Sequence, residues 1–363
     1  SWVEIIQQIQ SKQKCLGKLP TWFNGKNLIY PVKLSVEQSS SELTAAYKAS
    51  LLQGQTLIDL TGGMGVDCFY FAQQFQQVIH CELSENLSAS VQHNFGLFGI
   101  NNAAFVVGDS LDYLQQTSQQ FDWIYVDPSR RNDKKGKVFM LEDCLPNVHE
   151  NLDLLFAHST NILLKTAPIL DISSGIKSLQ NVDEVHVVAV DNEVKELLWV
   201  LHKNTTKSPT VHAINLSKQG KETVSFPWNI KTSCDYSLPL TYLYEANSAI
   251  MKSGEFTAVA NKFGVSKLHE HSHLYTHAEQ VTFPGRVFKI ESCLPYNKTV
   301  MKKLAQSKAN ISTRNFPDSV EEIRKKWKIK DGGTQYWFFT TDVNNQKIVL
   351  LCSKINQPHE NII

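Results

Sequence analysis

The stretch of sequence that decides the fold reads Leu57-Ile58-Asp59-Leu60-Thr61-Gly62-Gly63-Met64-Gly65-Val66-Asp67. An apolar strand pattern runs here into an acidic residue, then a glycine-rich turn, and then the start of a helix pattern. Glycine lets the backbone of such a turn approach a ligand closely, and the helix N-terminus adds a partial positive charge. We therefore predict a ligand site at the carboxyl end of this strand.

Acidic residues also end the next two predicted strands. Glu82 lies 23 residues after Asp59, where a carboxylate can accept both hydroxyls of a ribose. Asp109 ends the third strand, where it can accept from an adenine amino group. These positions predict an adenosine site built from Asp59, Thr61, Gly62, Gly63, Gly65, Glu82, Asp109, Ser110 and Asp127. The structural alternative is an α/β protein with a tight turn and acidic helix caps.

The pattern around this turn alternates between strands and helices. Seven short, apolar, β-branched stretches predict strands at Thr56–Leu60, Val78–Cys81, Ala104–Val107, Trp123–Val126, Asn161–Leu164, Val185–Val190 and Val211–Leu216. The clearest helix patterns are Asp67–Gln74, Asn86–Phe98 and Asn192–Lys203. This rhythm predicts an α/β fold with a parallel, doubly wound sheet of about seven strands.

Four parts of the chain differ in pattern. Residues 1–50 predict a helical N-terminal segment, with a helix from Ser41 to Leu52, and residues 51–228 hold the predicted sheet. Residues 229–283 predict a small connecting α/β region, and residues 284–363 a small α+β domain. In that last part we predict strand Arg286–Glu291, helix Tyr296–Ser307, strand Asn310–Asn315, helix Ser319–Trp327 and a hairpin at Asn344-Asn345.

Composition excludes several classes of protein. Hydrophobic residues make up 42% of the 363 residues and charged residues 20%, which excludes a disordered chain, a collagen-like fibre and a coiled coil. No apolar run approaches the length of a membrane span. The seven scattered cysteines indicate reduced thiols in a cytoplasmic protein. The chain begins with Ser1 and has no leader pattern behind it, so whether residues are missing before it stays open.

The formal net charge of +1 hides a basic segment. From Arg286 to Lys330 the chain carries twelve Lys or Arg against four Asp or Glu, a local balance of +8. Such a segment predicts docking on phosphate, and therefore nucleic-acid contact; the alternative is a solvated helix face. The candidate RNA-binding residues are Lys302, Lys303, Arg314, Arg324, Lys325 and Lys326.

For two further clusters we prefer a structural role to a role in binding. His269, His271, His273 and His277 lie close together in sequence, but no second ligand group accompanies them, so we expect a polar loop and no metal. The aromatic run Tyr336–Phe339 suggests a stacking strip for nucleic acid. Strand alternation instead favours a division of this run between core and surface.

The region from Ser41 to Leu216 resembles the class I S-adenosylmethionine-dependent methyltransferases. Residues 59–67 are similar to the variant of the first motif in bacterial ribosomal RNA guanine-N2 methyltransferases, with Thr61 where the general motif has its first glycine. The resemblance implies a Rossmann-like, seven-stranded methyltransferase domain that binds S-adenosylmethionine and releases S-adenosylhomocysteine. A nicotinamide dehydrogenase is disfavoured because positions 62, 63 and 65 do not supply G-x-G-x-x-G.

The reaction centre is predicted after the fourth strand, in Asp127-Pro128-Ser129-Arg130-Arg131. Nucleic-acid amino methyltransferases carry (Asp/Asn)-Pro-Pro-aromatic here, so the resemblance implies that Asp127 holds an amino nitrogen. Ser129 and Arg130 depart from that motif, and the two arginines suggest recognition of a phosphate or carboxylate. The alternative is that they pair with surface carboxylates.

A second constellation includes Lys165 after the fifth strand and Glu193 after the sixth. With Lys48 and Asp127 they occur in the order of the Lys-Asp-Lys-Glu tetrad of ribose 2′-O-methyltransferases. In that chemistry a lysine amine removes a hydroxyl proton. The alternative is a structural ion pair between Lys165 and Glu193. The complete set of catalytic candidates is Asp127, Pro128, Ser129, Arg130, Arg131, Lys165 and Glu193.

Residues 286–355 are similar to the THUMP type of RNA-binding module, chiefly in Arg314-Asn315-Phe316-Pro317 and in residues 321–326. The whole chain resembles a Bacteroidetes-type family of RNA methyltransferases that join a catalytic domain to a THUMP-like tail. This implies a cytoplasmic methyltransferase of tRNA or rRNA, acting on a base amino group rather than a ribose hydroxyl, with no membrane or DNA partner. The alternatives are a methyltransferase of a small acidic metabolite or protein, and a non-catalytic RNA-binding protein. The oligomeric state stays open.

Overall fold

Short apolar strands that alternate with helices build the first of two units, which comprises Ser1–Val190 and Lys195–Thr210. The structure is a computed structural model that describes residues 2–130, 141–230 and 232–356. The helices of this part are α1 (Trp2–Cys15), α2 (Pro20–Asn24), α3 (Lys33–Gln38), α4 (Glu42–Leu51), α5 (Val66–Ala72), α6 (Glu85–Leu97), α7 (Ser110–Gln116), α8 (Val148–His158) and α9 (Ile172–Leu179). Its strands are β1 (Thr56–Asp59), β2 (Gln77–Glu82), β3 (Ala103–Val107), β4 (Trp123–Val126), β5 (Ser129–Arg130), β6 (Cys144–Leu145), β7 (Asn161–Thr166), β8 (Val182–Val190) and β9 (Glu193–His202).

Seven of these strands form one sheet in the order β8-β9-β7-β4-β1-β2-β3. Strand β1 pairs in parallel with β2 and β4, and β4 pairs in parallel with β7. The last strand, β9, runs antiparallel to β7. Strand β4 is buried along its whole length, as expected for a central strand covered on both faces. The predicted seven-stranded α/β fold is confirmed, with one antiparallel strand in it.

Strand β9 corrects one prediction, because the helix expected at Asn192–Lys203 is wrong. Asp191 and Asn192 both have positive φ angles, of 49° and 64°, and form a two-residue turn instead of a helix start. The chain then runs extended, with Glu196–Leu201 buried. A short apolar run of this kind is equally compatible with a buried strand and a buried helix. The predicted strand Val211–Leu216 is present, but it lies in the second unit.

The second unit comprises Asp191–Val194 and Val211–Ile363. Its strands are β10 (Thr210–Ser217), β11 (Gly220–Pro227), β12 (Tyr242–Ala246), β13 (Ser266–Lys267), β14 (Leu274–His277), β15 (Gly285–Pro295), β16 (Asn310–Arg314), β17 (Gln335–Thr341) and β18 (Lys347–Ile355). Its helices are α10 (Ser248–Ser253), α11 (Phe256–Phe263), α12 (Lys298–Leu304) and α13 (Val320–Trp327). Seven strands form a sheet in the order β13-β14-β12-β15-β18-β17-β16. This division into two units does not test the domain limits predicted from the sequence, which stay a prediction.

Apolar residues cover both faces of that sheet. On one face, Met301 of α12 and Ile323 of α13 pack with Trp337 and Phe339. On the other face Phe338 packs in a separate cluster with Leu243 and Phe288. Consecutive strand residues point to opposite faces, so Trp337, Phe338 and Phe339 are all buried. This aromatic run is therefore core and not an exposed stacking strip. Within the described residues, no helix is both long and apolar enough to cross a membrane.

Two helical glycines provide a matched test of the packing in the first unit. A Cβ atom at Gly175 would lie 2.2 Å from Cη2 of the buried Trp199, whereas one at Gly96 would meet nothing within 4 Å. We expect Gly175→Ala to lower the free energy of unfolding by about 1–3 kcal/mol through overpacking. Gly96→Ala should leave it unchanged or raise it by up to about 1 kcal/mol. Equilibrium urea denaturation measures both, and equal effects of the two substitutions would contradict this steric explanation.

Candidate functional site

The glycine loop after β1 lies against the ends of β2 and β4. The backbone N–H of Gly63 donates to Oε2 of Glu82 (3.0 Å), whose Oε1 accepts from the N–H of Ser84 (2.9 Å). The backbone N–H of Asp127 donates to Oγ1 of Thr61 (2.7 Å). Parallel pairing of these strands accounts for the arrangement, because the carboxyl ends of parallel neighbours meet at one edge of the sheet.

The hydroxyl of Thr61 explains why this position tolerates a departure from the glycine of the general motif. The backbone N–H of Thr61 donates to Oδ1 of Asp59 (2.9 Å), and its hydroxyl donates to the same oxygen (3.4 Å). Since that hydroxyl also accepts from the N–H of Asp127, one side chain joins the ends of β1 and β4. A glycine here would lack this link.

The remaining loop glycines are required by close approach and by backbone conformation. A Cβ atom at Gly62 would lie 2.3 Å from Nε2 of His80, and one at Gly65 would lie 2.6 Å from Cγ1 of Val91. Gly65 also has a φ of 77°, which favours glycine. Burial lowers the pKa of His80 to about 4, so the loop packs on an uncharged ring at neutral pH.

Asp109 and Ser110 lie at the start of α7, after β3. The Asp109 carboxylate accepts from the backbone N–H of Leu111 (2.8 Å) and caps the helix, and Ser110 is buried. The backbone N–H of Gly108 donates to the carbonyl of Glu82 (3.0 Å), which keeps the ends of β2 and β3 adjacent. Capping a helix is the structural role that was the alternative for Asp109. A role of Asp109 in binding adenine stays a prediction.

Asp127 forms an ion pair with Lys165 at the ends of two neighbouring strands. Val126 of β4 lies opposite Leu164 of β7, so the next residue of each strand is brought to the same place. Burial disfavours charge on the Lys165 ammonium, but the carboxylates of Asp127, Glu196 and Asp67 outweigh it and raise the pKa. Lys165 therefore stays protonated at neutral pH.

Behind this pair lies a buried polar network that the sequence did not predict as a whole. The fully buried ammonium of Lys48 donates to both oxygens of Glu196 (2.8 and 3.0 Å) and to the hydroxyl of Ser40 (3.0 Å), and lies 3.2 Å from Oδ1 of Asp67. Oδ2 of Asp67 accepts from the hydroxyls of Ser40 and Tyr125 (both 2.8 Å). Burial works against ionisation of Asp67, yet Lys48 and Lys165 lower its pKa.

The other predicted catalytic residues are placed as follows. Pro128 is half-buried, and Ser129 is exposed at the start of β5. The backbone of Arg130 pairs with Cys144 in the short β5–β6 ladder, and Arg131 lies outside the described residues. Glu193 is an exposed residue of the second unit at the start of β9, and Glu196 is the carboxylate that binds Lys48.

The predicted RNA-binding residues of the second unit divide into two groups. Lys302, Lys303 and Lys325 are exposed on α12 and α13. The arginines are engaged within the fold, since Arg314 pairs with the buried Glu245 (2.9 Å), and Arg324 pairs with Asp331 (2.5 Å) and donates to the carbonyl of Ala309 (3.1 Å). Lys326 is intermediate, because its ammonium lies 3.5 Å from the carboxylate of Asp318 and remains half exposed.

The clustered histidines have partners within the second unit. His269 bonds with Asn345 and Asn315 (both 3.0 Å), and His277 bonds with the backbone of Glu279. The ring of His273 stacks on Phe256 with a centroid distance of 3.6 Å. His269, His271 and His273 thus lie in the polar segment before β14, as expected for a loop, whereas His277 is the last residue of β14.

Three family models match the chain. Residues 54–162 match an RNA cap guanine-N2 methyltransferase model, residues 242–284 a ferredoxin-like domain, and residues 285–354 a THUMP domain-like model. These assignments agree with the methyltransferase and THUMP resemblances inferred from the sequence.

A similar solved structure is described as a "putative methyltransferase" from Porphyromonas gingivalis W83. It is 34% identical, covers 96% of this chain and 90% of its own, and superimposes with a TM-score of 0.89. The chain therefore belongs to this methyltransferase family, and its own residues 285–354 carry the THUMP-like match. An "uncharacterized RNA methyltransferase" of Caldanaerobacter subterraneus subsp. tengcongensis is 33% identical over 79 residues, which are 22% of this chain. The match spans only 18% of that curated relative.

The buried carboxyl of Asp59 provides a test of the site's electrostatics. Burial raises its pKa well above the usual value, against the opposing hydrogen bonds from Thr61. The stability that this carboxyl contributes is therefore complete below the unfolded pKa of about 3.9 and is lost as the pH rises. We expect Asp59→Asn, which keeps an acceptor for Thr61, to become progressively more stable relative to the wild type from pH 4 to pH 8.

Asp122 is the matched control with the opposite sign. The backbone amides of Thr56 and Gln55 lower its pKa, so its contribution is present above pH 3.9 and is lost as the pH falls. Asp122→Asn should thus lose stability relative to the wild type as the pH rises from 2 to 5. Urea denaturation from pH 2 to pH 8 measures both differences. The assignment would be refuted if the stability of both variants relative to the wild type changed in the same direction as the pH rises.

Proposed function

We propose that the protein is an S-adenosylmethionine-dependent methyltransferase that acts on structured RNA, tRNA or rRNA, at an amino group of a base. One observation carries the proposal. The carboxylate of Asp127 pairs with Lys165, the backbone N–H of the same residue bonds with Thr61 of the glycine loop, and Glu82 lies at the same edge of the sheet. The family supports methyl transfer, and the RNA methyltransferase name of the curated relative supports RNA as the substrate.

The residues at this edge fit the proposed cofactor. Glu82 offers a carboxylate for the ribose hydroxyls, held in place by the amides of Gly63 and Ser84. Gly62 and Gly65 let the loop pack closely on His80 and Val91, which keeps its backbone beside Glu82. When bound, S-adenosylmethionine supplies an electrophilic methyl group on a sulfonium, and transfer leaves S-adenosylhomocysteine.

The chain's own contribution to transfer is orientation of the acceptor. Lys165 engages Oδ2 of Asp127, which leaves Oδ1 to accept a hydrogen bond from an amino N–H of the base. That bond would direct the nitrogen lone pair toward the methyl group, and in-line alignment at short distance contributes a large part of such a rate enhancement.

The state of the two lysines favours a base amino group over a ribose hydroxyl. A lysine that removes a hydroxyl proton needs a lowered pKa, and the carboxylates around Lys165 raise its pKa instead. Lys48 is fully buried and held by Glu196 and Asp67. In this proposal Lys165 therefore acts as a fixed cation, the buried Lys48 does not reach the substrate, and neither serves as the general base of the ribose chemistry.

For RNA binding we propose a surface formed by Lys302, Lys303 and Lys325, which we call the lysine face. These side chains are exposed on α12 and α13, two helices whose apolar residues pack on the same face of the sheet. Exposed ammonium groups can bind phosphates and release counterions. Arg324 supports this surface by bonding Asp331 and the carbonyl of Ala309, and it is not expected to contact RNA directly.

Methyl transfer is tested by incubating the full chain with radiolabelled S-adenosylmethionine and total bacterial RNA from a strain that lacks the gene. We expect label in tRNA or rRNA, and a fall of about 10²–10³-fold in rate for Asp127→Asn, because a bond that orients the reacting nitrogen is weakened. Asp153→Asn, at an exposed position on α8, should keep the wild-type rate.

The outcomes of that experiment separate the alternatives. Cofactor binding by calorimetry without label in RNA would contradict an RNA substrate and favour a small acidic metabolite or a protein as acceptor. RNA binding without methyl transfer to any acceptor would indicate a non-catalytic RNA-binding protein. Nucleoside analysis of labelled RNA then distinguishes a base amino group from a ribose hydroxyl.

The lysine face predicts a change in the salt dependence of RNA binding. Replacing Lys302 and Lys325 by Gln should lower the slope of log K against log salt by about 0.7–0.9 for each phosphate that the variant no longer binds. The matched control replaces Lys218 and Lys347 by Gln, which removes the same charge from exposed positions before β11 and at the start of β18. Filter binding at four salt concentrations measures the slopes, and equal slopes for the two double variants would rule out the lysine face.

A further inference from the structure

Two arginines of the second unit share one buried carboxylate. Glu245 of β12 is 3% exposed and lies opposite Arg286 of β15 in the antiparallel register. Nε of Arg286 donates to Oε2 of Glu245 (2.7 Å), and Nη2 of Arg314 donates to Oε1 (2.9 Å). Both guanidinium groups are thereby held in a set orientation at the sheet surface.

The charges in this group do not balance. Two guanidinium cations meet one carboxylate, so one positive charge remains without a counterion inside the group. The two arginine side chains are 37% and 38% exposed, which leaves part of each guanidinium open to a ligand. Arg286 also lies over the ring of Phe288, 5.5 Å from its centroid, which further limits its movement.

Polar atoms beside the pair lack partners. Nε of Arg314 is buried without an acceptor among the described residues. Thr340 lies opposite Arg314 in the β16–β17 register, is fully buried, and its hydroxyl has no partner in the described part of the chain. A buried donor without an acceptor is costly, so a site with this deficit needs an explanation beyond packing.

The surroundings add further positive charge. Lys267 is 3% exposed, and its ammonium donates to the backbone carbonyl of Glu270 (2.8 Å). Burial lowers the pKa of His273 to about 4, and Lys267, His271 and Arg314 lower it in the same direction. The ring of His273 is therefore uncharged at neutral pH, and Lys267 and Arg314 both contribute positive potential at it, while Glu270 lies beside Lys267 and His271.

We infer that Arg286 and Arg314 form a binding site for a phosphate group of the RNA, with Glu245 as the positioning residue that orients both guanidinium groups. The inference rests on the proposed RNA substrate and extends it, because this site is distinct from the lysine face. Two guanidinium groups in set orientations match the oxygens of a phosphate, and prior orientation reduces the entropy lost on binding.

The alternative is that the Arg-Glu-Arg group only supports the fold. A buried carboxylate between two arginines can serve that role alone. It would then need neither a free positive charge nor an open guanidinium edge. The two interpretations differ in one measurable respect, which is whether phosphate binds.

Calorimetry of the full chain with inorganic phosphate, at ionic strength matched with chloride, tests the site directly. We expect saturable binding that weakens at least tenfold in Arg314→Lys and in Arg286→Lys. Both variants keep a cation for Glu245, so their thermal midpoints should stay close to that of the wild type. Lys218→Gln, at an exposed position before β11 and outside both proposed surfaces, should keep the wild-type phosphate affinity. Absence of phosphate binding, or unchanged affinity in both lysine variants, would overturn the site.

A readout on the unaltered protein avoids any doubt about folding of the variants. In an arginine-labelled sample, phosphate should shift the Nε–Hε resonance of Arg314 in the nitrogen–proton spectrum, and chloride at equal ionic strength should not. A shift confined to arginines outside this pair would overturn the inference.

Competition identifies the source of the phosphate. If the group belongs to RNA, tRNA should displace inorganic phosphate from the wild type, and Arg314→Lys should weaken RNA binding while cofactor affinity stays unchanged. Phosphate binding that RNA does not displace would assign the site to a small phosphorylated molecule and overturn the RNA source. If the wild-type protein does not bind S-adenosylmethionine, that result would instead count against the proposed function.

Discussion

The placement of β4 between β1 and β7 is the arrangement on which the rest of the candidate site depends. Parallel pairing with β1 brings the glycine loop beside Asp127, and parallel pairing with β7 brings Lys165 to the same point. Thr61 then links two of these strand ends with one hydroxyl. A shift of a single residue in either register would turn these side chains to the other face of the sheet. The register of a buried strand is strongly specified, and this stabilises the geometry of the site.

A buried network of charges lies behind that edge and explains much of its electrostatics. Lys48 is surrounded by Glu196 and Asp67, and the hydroxyls of Ser40 and Tyr125 complete the bonds of Asp67. Buried ion pairs contribute little net stability compared with apolar packing. We therefore expect these pairs mainly to orient the side chains and to set the electrostatic potential at the edge of the sheet. Burial opposes the charge of Lys165, but Asp127 first, and then Glu196 and Asp67 of this network, raise its pKa, so Lys165 stays protonated at neutral pH.

Much of the fold and the position of the glycine loop could be predicted from the sequence, because their signals are local. The glycine turn, the strands at Thr56 and Trp123, and the helix cap at Ser41 each depend on a few neighbouring residues. The error at Asn192–Lys203 had a specific consequence for the site. In a helix, residues 193 and 196 share a face, whereas in a strand they point to opposite faces. The prediction named Glu193 because it follows the sixth strand, whereas the structure pairs Glu196 with Lys48.

By itself the sequence determined the class of fold, the position of the glycine loop, and the basic character of residues 286–330. The tertiary structure alone decided the partner of each charged side chain. It pairs Arg314 with Glu245, 69 residues away, and Arg324 with Asp331, and it leaves Lys302 and Lys325 exposed. The physical reason is the distance along the chain over which each signal acts. Strand and turn patterns are set by neighbours in the chain, whereas the partner of a charged side chain is set by which distant strands and helices meet around the core.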